Sequence, residues 1–229
     1  NCGWVMSPGQ KLTEEFCVGS ISDEERQRLE DYVTGILTAF KDDKRVLMWD
    51  LYNEPGNRAN PLLRATWGWA EAVRPSQPMT ACAEGCMGPE NYMTNLAHSD
   101  IVTFHNYSAD CLELTIAQHQ SISCGRPLVC TEYMAREYGT TFQFSLPIFK
   151  KHKVGCYNWG FVAGKSQTHF NWGSVLKLEE LKAKGVFLNP GDPIPEPELW
   201  FHDIYRIDGT PFSQYEVDFI KNIVPPNCG

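Results

Sequence analysis

Arg45-Val46-Leu47-Met48-Trp49-Asp50-Leu51-Tyr52-Asn53-Glu54-Pro55-Gly56 is the stretch that sets the fold. A dense β-type run over 45–52 ends where Pro and Gly stop a strand, so Glu54 stands at a strand's C-terminal end. On its N-terminal side, Ser22-Asp23-Glu24-Glu25 has helix-cap and acidic first-turn chemistry. Leu29, Tyr32, Val33, Ile36, Leu37 and Phe40 then follow at helical spacing, which predicts a helix to about residue 41. On its C-terminal side the alternation repeats. Helices are expected at 60–73, 89–97, 112–120 and 142–151, strands at 78–83, 101–105, 127–131 and 154–161, and a last helix at 213–223. Strands that alternate with helices in this way predict an α/β fold with a parallel sheet.

A closed (β/α)8 TIM barrel needs eight such units and about 250 residues. This chain supplies five strands, each followed by a helix, and spends a long irregular segment at about 162–212 without adding a unit. The expectation is therefore one partial catalytic-barrel domain over 1–229, with roughly three N-terminal βα units lying upstream of Asn1. A complete open α/β sheet is the competing reading. It accounts less well for the carboxylates described next.

Glu54 ends the first of these strands and Glu132 ends Arg126-Pro127-Leu128-Val129-Cys130-Thr131-Glu132, so both project from the rim where barrel enzymes place their chemistry. Two such carboxyl groups suit glycosidic cleavage: one protonates the leaving oxygen while the other attacks the anomeric carbon, at a separation of about 5 Å when configuration is retained. Their environments must differ, since one has to hold its proton while the other is ionised. Asn53 is placed to donate to a sugar hydroxyl. His105 and Tyr107 lie two apart in extended chain and point to one side, where the Tyr107 hydroxyl can hold an ionised carboxylate. Trp159, in Cys156-Tyr157-Asn158-Trp159-Gly160, offers a flat apolar face to a sugar ring. Asp50 shares parity with Glu54 and is read as a paired interior polar group. Trp67 and Trp69, inside a helical stretch, are read as packing.

Together, Asn53-Glu54-Pro55, His105-x-Tyr107, Glu132 and Trp159, each at its own strand end and in this order, resemble clan A glycoside hydrolases, most closely family 5. The resemblance implies that Glu54 is the acid/base and Glu132 the nucleophile. It also implies that Asn53 contacts the hydroxyl next to the reacting carbon, that His105 and Tyr107 orient the carboxylates, and that Trp159 forms the floor of the sugar site. The family also uses an Arg after strand two and usually a His after strand three; the strands that would bear them are absent from this sequence.

Beyond the last strand, Gly164-Lys165-Ser166-Gln167-Thr168-His169-Phe170-Asn171-Trp172 interleaves donors with aromatics, as neutral carbohydrate requires; Lys165 and Gln167 are its candidate substrate contacts. Leu199-Trp200-Phe201-His202-Asp203 is assigned to packing. The net charge of −8 argues against nucleic acid and anionic membrane surfaces as partners, and no apolar run approaches the roughly 20 residues of a membrane span. Nine cysteines show no CxxC spacing and read as small buried apolar residues, with Cys82–Cys86 and Cys2–Cys17 the pairs to test for a disulfide. The scattered histidines and the lack of an acidic Ca²⁺ loop argue for no metal and no cofactor. The sequon Asn106-Tyr107-Ser108 falls between proposed site residues and is expected to be unmodified.

The sequence thus reads as a retaining β-glycoside hydrolase whose partner is an oligo- or polysaccharide, a β-linked glucan or mannan, in a secreted or periplasmic setting. The rival readings are a carbohydrate-binding remnant without turnover and a transglycosylase that uses the same two glutamates.

Overall fold

A computed structural model describes residues 8–83, 88–164, 167–173, 179–180, 182–185 and 195–224. The elements in chain order are α1 (Gln10–Cys17), α2 (Asp23–Phe40), β1 (Trp49–Asp50), α3 (Asn60–Val73), β2 (Met79–Thr80) and α4 (Pro89–His98). They continue with β3 (Val102–His105), α5 (Leu112–Ile122), β4 (Leu128–Tyr133), α6 (Phe142–His152), β5 (Gly155–Asn158) and α7 (Gln214–Ile223). Among the described residues, each of the five strands is followed by a helix, as the alternation predicts. The described residues form two compact units: those up to 105 together with 117–131, and 106–116 together with those from 132 onward.

Local chemistry sets the helix limits. The Ser22 hydroxyl accepts from Glu25 N at 3.2 Å, and Asp23, Glu24 and Glu25 complement the positive end of α2. Thr141 caps α6 in the same way, and Lys150, Lys151 and His152 occupy its last turn. Arg74, in left-handed conformation, ends α3 by returning its N–H to Ala70 O. Helix α1 is absent from the sequence reading. It has no side-chain cap and is only eight residues long, and Phe16 is buried edge-on against Trp69 at 6.0 Å.

In the first unit the parallel strands bond in chain order. Trp49 N donates to Pro78 O and Leu51 N to Thr80 O, which aligns β1 with β2. Asp100 N donates to Met79 O and Ala83 N to Thr103 O, so β3 climbs alongside β2; Val102 N then reaches Pro127 O at the foot of β4. Strand β1 is shorter than the apolar run that announced it. Asp43 ties the start of that run into a turn, accepting from Arg45 N through its carboxylate and from Val46 N through its carbonyl, and Leu47 is exposed. The core on the helical side is Leu37, Leu63, Trp67, Ala70, Met79 and Ala81, with Phe16, Leu29, Leu62 and Trp69 beside it. Each buried Leu or Phe contributes about 1.5–3 kcal/mol. Trp67 and Trp69 are packing residues, as read, and Trp67 Nε1 donates to Asn95 Oδ1 at 3.0 Å. Asp50, read as an interior group, is exposed: in a two-residue strand its side chain meets solvent.

The second unit is built around Tyr133, Phe142 and Phe149 on one side and the segment Trp200–Ile204 on the other, all buried. The packing assignment for 199–203 holds from Trp200 onward, while Leu199 is exposed. Arg136 straps this segment down: Nε and Nη2 grip both oxygens of Glu216 at 2.9 and 2.6 Å, and Nη1 and Nη2 donate to Trp200 O and Asp203 O. The guanidinium also lies over Phe212. Among the described residues, no helix is long and apolar enough to cross a membrane. Cys2 and Cys86 lie outside the described residues, and with them both disulfide candidates.

Candidate active site

The candidate residues of the first unit stand where β1 ends. Glu54 has φ 41°, in the left-handed region that a residue with a Cβ adopts at a cost of about 1 kcal/mol or more. The turn is held from α4: Asn91 Nδ2 donates to Pro55 O at 2.8 Å and to Gly56 O at 2.9 Å, and Asn91 Oδ1 accepts from Asn60 Nδ2. The strained turn thereby has a fixed geometry, and the Glu54 side chain points back to β3, where the buried His105 Nδ1 lies 2.6 Å from its Oε1. Glu54 keeps about a third of its side chain in solvent. Asn53 is exposed beside it. Asn60 and Asn91 escaped the sequence reading; the signal available was polar side chains on the same helix face as buried positions.

In the second unit the Tyr107 hydroxyl donates to Glu132 Oε2 at 2.6 Å, and Asn106 N donates to Glu132 O at 2.9 Å. Side chain and backbone of the buried Glu132 are thus both anchored from the segment that follows β3. The sequon residue Asn106 is buried, with its amide on Cys111 Sγ and Thr115 Oγ1 and its oxygen on Ser108 N, so its side chain is committed to the fold. Two residues past Glu132, Met134 has φ 87° and its carbonyl accepts from His202 Nδ1. Burial pushes the His202 imidazole down to about 4, and the nearby Arg136 charge acts in the same direction against the Met134 bond. The ring is therefore neutral near pH 7, with its proton on the nitrogen that faces the carbonyl. It lies 5.5 Å from the Tyr107 ring and 5.9 Å from that of Trp172.

Trp159 follows β5, is 44% exposed and donates its N–H to Tyr133 O at 2.9 Å. Gly160 comes next at φ 82°, close against His202 and Asp203. Gln167 is exposed, and its backbone closes a turn between Gly164 O and Phe170 N. Lys165 lies outside the described residues. His202, Arg136 and the Thr168 hydroxyl that donates to Asp203 were missed as supports of the site; their only trace in the sequence was polar groups inside aromatic runs. Burial pushes the Cys156 thiol up to about 11, which leaves it protonated and unreactive at neutral pH.

No known protein family matches the chain's sequence, and no curated protein does. Among solved structures, a β-glucuronidase from Ruminococcus gnavus in complex with D-glucuronic acid is similar over 85% of this chain, with a TM-score of 0.54 and 16% identity. The chain spans 35% of that protein's length. An exo-β-agarase is similar over 83% of this chain and 22% of its own, at a TM-score of 0.43 and 12% identity. The agarase AgWH50C is similar over 86% and 27%, at 0.43 and 14%. The likeness to the glucuronidase is one of fold: the chain has mixed α/β architecture with parallel strands and resembles a stretch of a glycoside hydrolase.

Proposed function

We propose that this chain carries the catalytic glutamates of a retaining β-glycoside hydrolase, family 5-like in its strand-end residues, on part of a (β/α)8 barrel. Parallel strands that bond in chain order, with a helix after each, support the barrel. One observation carries the chemistry. Each rim glutamate has its own anchoring side chain at 2.6 Å, His105 on Glu54 and Tyr107 on Glu132. A buried carboxylate that accepts a phenol O–H is suited to be the anion, and a partly solvated carboxyl on an imidazole is suited to exchange protons with leaving group and water.

In this reading Glu132 attacks the anomeric carbon, the glycosidic C–O bond breaks, and the Glu54 proton goes to the leaving oxygen. Glu54 then takes a proton from water, which displaces Glu132 from the glycosyl ester. Asn53 binds the hydroxyl beside the reacting carbon and Trp159 stacks under the ring. The glucuronidase similar in fold is a β-glycosidase by name, which agrees with a β-linked substrate; a glucan or mannan is the class proposed, met outside the cell or in a periplasm. The test is hydrolysis of aryl β-glucosides and β-mannosides by the chain and by Glu132→Gln, with mass spectrometry for a 2-fluoro sugar trapped on Glu132. Turnover lost in the variant and a label on Glu132 support the reading. Sugar binding with no turnover assigns the chain to carbohydrate binding instead, and an acceptor sugar that competes with water assigns it to transglycosylation.

A further inference from the structure

Trp172 is 45% exposed although four aromatic rings grip it. Tyr107 meets it edge-on at 5.0 Å and 88°, Phe201 at 4.9 Å and 79°, His202 at 5.9 Å and Tyr138 at 5.6 Å and 38°. Tyr138 is itself 51% exposed and is held from below by Phe201 at 5.6 Å. The two exposed rings are thus fixed next to one another by buried neighbours, so a ligand that covers them has little side-chain freedom left to remove. Polar groups flank them: Asn171 Nδ2 donates to both oxygens of Glu137, at 3.0 and 2.8 Å, and Glu137 is exposed. One tyrosine connects this shelf to the chemistry, since Tyr107 touches Trp172 with its ring edge and Glu132 with its hydroxyl.

We infer that Trp172 and Tyr138 form a second sugar subsite, which takes a neutral pyranose of the chain whose neighbouring residue is at Glu132. A pyranose presents an apolar C–H face with hydroxyls at its rim, and the shelf presents aromatic faces with an amide and a carboxylate at theirs. The Glu137 carboxylate disfavours a uronic acid in this position, so the site selects neutral units, as in a glucan or mannan. The inference rests on Glu132 as the reacting carboxylate and adds to it that the substrate is an oligosaccharide chain rather than a single glycoside.

Two measurements separate this inference from the reading beneath it. Binding of cellotetraose and mannotetraose is followed by calorimetry in the Glu132→Gln chain, with and without Trp172→Ala, Trp172→Phe and Tyr138→Ala. The shelf predicts that Trp172→Ala weakens binding of one tetrasaccharide by about tenfold or more, that Trp172→Phe restores part of it, and that Tyr138→Ala weakens it less. Equal affinity with and without the Trp172 ring, or no binding of either sugar, overturns the subsite. Hydrolysis by the unsubstituted chain tests the reading instead. There, Trp172→Ala is expected to lower kcat/KM for an aryl β-trisaccharide about tenfold more than for the aryl monosaccharide, and an equal fall on both assigns Trp172 to packing around Tyr107.

Discussion

His105 Nδ1 and Glu54 Oε1 lie 2.6 Å apart although the two residues stand 51 positions apart in the chain. The carboxylate comes from a left-handed turn and the imidazole from a buried strand end, so each fixes the other's rotamer. Glu54→Gln is expected to lower hydrolysis by about 10²–10⁴-fold on glycosides with poor leaving groups and far less on dinitrophenyl glycosides, which need no proton. His105→Ala is expected to follow the same leaving-group pattern with a smaller loss. A loss independent of the leaving group would take the proton-transfer role away from Glu54.

Tyr107→Phe removes a single oxygen, the one that donates to Glu132 at 2.6 Å, and keeps the ring against Trp172 and His202. Hydrogen bonds to charged groups are worth about 1.5–3 kcal/mol. The expected result is a fall in kcat of roughly ten- to a hundredfold with a melting temperature close to that of the parent chain, read by steady-state kinetics and calorimetry.

His202 gives stability a defined pH dependence. Its folded value, about 4, lies below the ordinary 6.5, so the unfolded chain binds a proton between these values that the folded chain does not. The His202 contribution is intact above pH 6.5, declines as pH falls and is gone by about pH 4, on the order of 3 kcal/mol across the window. Asparagine can still donate to the Met134 carbonyl but does not titrate. Urea unfolding of His202→Asn from pH 7.5 to 4 should therefore show a flatter decline than the parent, and parallel curves would refute the assignment.

Arg136 and Glu216 form a bidentate pair with almost no solvent on either side chain. Glu216→Ala leaves the guanidinium buried and uncompensated, and is expected to cost about 3–5 kcal/mol in chemical denaturation. The Arg136→Met, Glu216→Leu double variant should recover much of that, because neither charge is then stranded.

Gly160 sits at φ 82° with the position of an added Cβ 2.7 Å from His202 Cβ and 2.9 Å from Asp203 Oδ1. Gly160→Ala is expected to destabilise by about 1–3 kcal/mol and to displace Trp159 with it, seen as a lower melting temperature and an altered tryptophan emission.

Much of this was legible in the linear order of residues. The limits of α3 were read to the residue and those of the other helices from α2 onward to within about two, because caps, prolines and 3.6-residue periodicity act through near neighbours. Helix α1 escaped because its helicity is decided by Phe16 packing on Trp69, a contact made across the fold. Strand β1 shrank to two residues because pairing depends on where β2 can present carbonyls, which the run 45–52 does not encode.

The same division runs through the candidate site. Residue types and their spacing named Glu54, His105, Tyr107 and Glu132, since strand ends and side-chain parity follow from local backbone geometry. That His105 belongs to Glu54 and Tyr107 to Glu132 emerged from folded coordinates alone. So did the bond from His202 to the Met134 carbonyl and the Arg136 strap, for hydrogen bonds between distant segments depend on how whole strands and helices come to rest, and no window of sequence contains that information.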